Sequence, residues 1–154
     1  MPVICVMEPK STSPIANKKS YMAYIPAVLL TVGIAVISLW EAPHLPPPVM
    51  SLGDKVLHGL MYTVLAAAWM AAVVPQFMMY DFKFKILSAT GVCLAVTAYG
   101  ALLEVLQRFC TLTRSGEMAD VYADYLGAAL GVGIVVLYCY IRYTVIPRYR
   151  KNEK

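Results

Sequence analysis

Four stretches of this chain, residues 20–40, 56–80, 86–103 and 125–141, contain no Asp, Glu, Lys or Arg. A helix rises about 1.5 Å per residue, so roughly 20 residues cross the hydrocarbon layer of a bilayer. Backbone groups inside lipid must pair with one another, which leaves helices or closed barrels as the available spanning structures. The runs are continuously apolar rather than alternating, as Leu29, Leu30, Val32, Ile34, Val36, Ile37 and Leu39 illustrate, so helices are expected. Within 154 residues the hydrophobic share is 60% and the charged share 14%. One small soluble core could not hide that much apolar surface, and disordered chains have the opposite composition. The expected fold class is all-α: one polytopic membrane domain built as a bundle of four transmembrane helices.

The connections fit this division. A tail over 1–19 carries Pro2, Pro9, Pro14, Lys18 and Lys19, and a basic tail follows over 147–154. The single domain then covers 20–146, with helices expected at about 20–40, 52–74, 86–109 and 117–146. The proline-rich segment from Glu41 to Pro48 reads as extended, and Ser51 with Asp54 resembles a capping box that starts the second helix near Leu52. Pro75 is expected to end that helix, because proline lacks the amide donor. The first run exceeds a signal-peptide h-region of about 7–15 residues and no Ala-x-Ala follows it, so an uncleaved anchor is expected.

Basic residues set the expected orientation. Of the 13 Lys and Arg, Lys55, Arg108 and Arg114 fall on one side. The other ten lie in the two tails, at Lys83 and Lys85, and at Arg142. Both termini are therefore expected on the cytoplasmic side of the membrane. The acids run the other way: Glu41, Asp54, Glu104, Glu117, Asp120 and Asp124 belong to the outer side. A net charge of +4 without basic clusters gives no footprint for nucleic acid.

The outer side also holds a polar layer. Asp54, His58 and Tyr62 recur every four residues, as do Gly100, Glu104 and Arg108, with Gln107 adjacent. Asp120, Asp124, Gly127 and Gly131 form a third stripe. Charge facing lipid is costly, so such stripes are expected to face one another across the bundle. Each group alone has a plainer reading: a cap at Asp54, a complement to a helix N-terminus at Asp120, a surface pair for Glu104 with Arg108, or an interfacial histidine at His58. Their coincidence on three helices is what points to a pocket. Gly127-x-x-x-Gly131 reads as a helix-packing face, and Met61, Met70, Met78 and Met79 read as lipid-facing or interfacial. Cys5, Cys93, Cys110 and Cys139 share no metal-ligand spacing, so neither a disulfide nor a metal or other cofactor is expected.

The ordered set Asp54-Lys55-x-x-His58-x-x-x-Tyr62, then Gly100-x-x-x-Glu104-x-x-Gln107, then Arg114, Asp120, Gly127 and Gly131 resembles the VanZ-like family of small bacterial membrane proteins. The resemblance extends over about residues 40–135, and Asp124 stands where that family often has Asn. It implies a multi-helix membrane domain and an association with low-level resistance to the glycopeptide teicoplanin. It brings no defined biochemical activity.

Two functions compete at this stage. In the first, the outer layer of Asp54, Lys55, His58, Tyr62, Glu104, Gln107, Arg108, Arg114, Asp120 and Asp124 binds an amphipathic partner without catalysis. A membrane lipid, a lipid-linked wall precursor or a lipoglycopeptide would suit, with Arg as a bidentate donor to phosphate or carboxylate. In the second, the chain is an intramembrane hydrolase or transferase, with His58 as general base and Asp54, Glu104 or Asp120 orienting it or holding a metal. The absence of His-Glu-x-x-His and of a Ser or Cys nucleophile beside a base favours the first.

Overall fold

The computed structural model describes residues 21–40, 47–79, 82–110 and 118–145, with the side chains of 47–52, 54, 75–79 and 144–145 excepted. Every long element is a helix: α1 Ile25–Leu39, α2 Pro47–Met79, α3 Phe82–Cys110 and α4 Met118–Tyr140, the last running into a π turn at Ile141–Val145. Among the described residues, three stretches are long and apolar enough to cross a membrane, Lys55–Val74, Phe82–Cys110 and Met118–Tyr143. α1 has 15 residues and starts with a proline in its first turn, where a missing amide costs nothing. It is thus shorter than the expected 20–40.

Two proline expectations are corrected. α2 begins at Pro47, so Pro47 and Pro48 at the end of the proline-rich segment stand in the first turn of a helix. Ser51 and Asp54 then lie inside that helix instead of capping it. The helix also continues through Pro75 to Met79, because the amide a proline lacks removes one hydrogen bond while the flanking turns keep theirs. The linker to α3 shrinks accordingly.

α2 and α4 form the most extensive interface, with α3 against both and α1 packed on α2 and α3. The core gathers Tyr62, Leu65, Ala66, Met70, Val96, Leu103, Ala128 and Val132, joined by Ile34 of α1. Met70 is fully buried here, which corrects its lipid-facing reading. Its unbranched side chain fills the core between helices. Leu29, Val36, Leu60, Leu94, Leu102, Leu126 and Leu130 point outward from the bundle, as the lipid-facing side of a membrane protein requires.

α2 and α4 touch backbone to backbone. A Cβ on Gly127 would collide with the Gly59 carbonyl, and one on Gly131 with the Thr63 carbonyl and, at 3.0 Å, with the Ala67 amide. α1 is attached by polar contacts instead. Trp69 Nε1 donates to Thr31 Oγ1 at 3.1 Å, and the Tyr99 hydroxyl donates to the Thr31 carbonyl at 2.5 Å. Gln107 Nε2 donates to the Ser38 carbonyl at 2.8 Å.

Candidate functional site

One end of the bundle brings charged side chains of α2, α3 and α4 together. His58, on α2, directs Nδ1 at Asp124 Oδ1 of α4, 2.9 Å away, and stands 3.8 Å from Glu104 Oε1 of α3. All three are buried; Asp124 is fully enclosed. Tyr62, one turn further along α2, stacks on the imidazole with the ring planes 8° apart and the centroids 6.2 Å apart. The cluster thus has an aromatic floor on the side of the apolar core.

A second, shallower pair lies one turn toward the helix ends. Lys55 Nζ is 3.7 Å from Asp120 Oδ1, with the lysine side chain 34% exposed and the aspartate almost wholly covered. Lys55 to His58 on α2 and Asp120 to Asp124 on α4 keep the same faces, as three- and four-residue spacings do. The layer therefore grades from a half-solvated ion pair to an enclosed His–carboxylate cluster within about one 5.4 Å turn.

Glycine makes room for the buried acid. A Cβ at Gly100 would collide with Asp124 Oδ2 and would stand 2.9 Å from Tyr62 Cε1. Oδ2 itself is buried and has no hydrogen-bond partner, although Oδ1 pairs with His58. Among the described residues, His58, Glu104 and Asp124 are the set whose donor atoms all lie within 4.8 Å of one another, close enough to share one cation.

The expected site residues divide as follows. Lys55, His58, Tyr62, Glu104, Asp120 and Asp124 come together. Gln107 is buried at the same end and ties α3 to α1. Arg108 is exposed, away from the face of Gly100 and Glu104. Eight residues advance a helix by about 80° beyond two full turns, enough to turn a stripe out of a buried seam. Arg114 and the side chain of Asp54 lie outside the described residues. Sequence reasoning missed Gly59, Thr63 and Ala67, whose small-residue recurrence every four positions was the available signal. The ligand-like trio has no linear spacing to betray it, because each member comes from a different helix.

Two apolar grooves, of about 310 and 460 Å³, flank α1. Leu65, Trp69, Val96 and Tyr99 help to line the first, and Leu30, Ile37, Leu60 and Val64 the second. None of the clustered charges lines either.

Fold and site together define an all-helical membrane protein with a buried His–carboxylate cluster at one end of its bundle. In comparisons with known proteins, no family model, curated protein or solved structure matches the chain.

Proposed function

We propose that this chain is a VanZ-like protein of the bacterial plasma membrane that binds an amphipathic ligand at its outer polar face. In this reading α1 is a fourth span, and both termini are cytoplasmic. The ligand headgroup, from a lipid, a lipid-linked wall precursor or a lipoglycopeptide, meets the charged end of α2, α3 and α4, and its apolar part lies along the helices. The observation that carries the reading is the convergence of Lys55–Asp120 and His58–Asp124–Glu104 at one end of the bundle. Polar groups at that depth are costly unless they serve one another or a ligand. The apolar grooves beside α1 support the ligand's second half. A role in teicoplanin-type resistance would follow from occupying or shielding such a ligand.

A second reading, an intramembrane hydrolase or transferase, draws on one contact: His58 is held by Asp124 and faces Glu104, as a base with an orienting acid would be. Lipid analysis separates the two. The purified protein should carry one headgroup class in excess over the membrane it came from, and His58→Ala or Glu104→Gln should reduce that excess by degrees. Cellular lipid composition that changes with the chain, and reverts fully in either variant, would instead mark an enzyme. Lipid matching the bulk membrane, with no change in the cells, would refute both.

A further inference from the structure

The His58–Glu104–Asp124 cluster contains the elements of a cation site. One imidazole nitrogen and two carboxylates, all buried, offer donor atoms within 4.8 Å of one another. The 2.9 and 3.8 Å separations from His58 Nδ1 bracket the spacing of about 3.4 Å between ligand atoms that stand about 2.1 Å from a tetrahedral centre. A separate observation bears on the same place. Asp124 Oδ2 is sealed from solvent and accepts no hydrogen bond, and it packs where a Cβ at position 100 would stand. A buried carboxylate oxygen without a donor is costly unless a positive group completes it.

We propose that His58, Glu104 and Asp124 bind one divalent d-block cation, zinc in the first instance. The donor set selects the class: imidazole suits zinc, iron and nickel, whereas magnesium and calcium prefer all-oxygen surroundings with more ligands. Three protein ligands leave a fourth position, the arrangement of an open site. On entry the cation takes the place of the proton between His58 and Asp124, which leaves to water. Lys55 and Asp120 lie one turn toward solvent, so the way in is short. Bound there, the cation joins α2, α3 and α4 at one point as a cross-link. The inference goes beyond the proposed ligand binding, since the metal is read without any amphipathic ligand present.

The full chain in detergent micelles, stripped with a chelator and titrated with Zn²⁺ and then Co²⁺, tests it. One equivalent of zinc should bind and raise the melting temperature. Cobalt should give the visible d–d bands of a low-coordinate site without thiolate charge-transfer absorption. Loss of an outer-shell partner weakens metal sites about 10–100-fold, so loss of a ligand in Asp124→Asn or Glu104→Gln should weaken uptake by at least about 100-fold. His44→Ala, which alters the second of the chain's two histidines and no member of the cluster, should bind as the unaltered chain does. Failure of the unaltered chain to take up one equivalent, unchanged uptake in both ligand variants, thiolate bands or loss of uptake in His44→Ala would each overturn the site. Should either ligand variant not fold, the cobalt spectrum of the unaltered chain and the His44→Ala titration decide the matter alone.

Discussion

Gly100 and Asp124 form a matched pair across the α3–α4 contact. The aspartate carboxylate occupies the volume that any β-carbon at position 100 would need, and the Tyr62 ring closes the other side. Gly100→Ala therefore forces the acid off His58 or the helices apart. Overpacking of this kind destabilises by about 1–3 kcal/mol. At Gly91, on the same helix, a β-carbon would meet nothing within 4 Å. Gly91→Ala should gain up to about 1 kcal/mol, since alanine is the better helix former. Thermal unfolding of both variants in detergent is the check: Gly100→Ala should melt below the unaltered protein and Gly91→Ala at or above it. Equal melting points would mean that Asp124 has another place to go.

Among elements, the α2–α4 crossing carries the bundle, because there the constraint is backbone against backbone. Rotamers cannot relieve a clash with the Thr63 carbonyl or the Ala67 amide. Gly131→Leu should cost at least about 2 kcal/mol and separate the helices. A β-carbon at Gly133, two residues on, meets nothing within 4 Å, so Gly133→Leu should leave the melting point nearly unchanged. If both leucines are tolerated alike, the crossing has slack that backbone contact would not allow. This crossing also marks how far the sequence can be read. Gly127 and Gly131 announce a packing face by their spacing, and the stripes through His58, Glu104 and Asp124 announce which faces meet. A spacing of four residues holds over one turn and drifts over two, which is why Arg108, two turns from Gly100, leaves the seam that Gly100 and Glu104 occupy. Pro47 and Pro75 carry a local preference that says nothing of neighbouring turns able to carry the helix through them. Met70 looks the same in a core as at a lipid surface. The partners of His58 are fixed only by the tertiary fold, since its hydrogen-bonded acid lies 66 residues away in the chain.

At the scale of the whole molecule, α1 decides the topology. With its 15 residues crossing the bilayer, the segment before it and the α3–α4 connection face opposite sides. Without that crossing they share a side. Cys110 is exposed at the end of α3, whereas Cys139 is buried, and Cys5 precedes α1. A membrane-impermeant thiol reagent added to intact cells should therefore modify Cys110 and spare Cys5 until the membrane is permeabilised. Labelling of both in intact cells would remove α1 from the spans, and labelling of Cys5 alone would invert the protein. The pairing of α2 with α4 has a consequence for biosynthesis. The ribosome delivers His58 long before it delivers Asp124, so α2 and α3 enter the membrane with their polar faces still awaiting the last helix. The α2–α3 hairpin can bring His58 to Glu104, but the cluster closes only when α4 delivers Asp124.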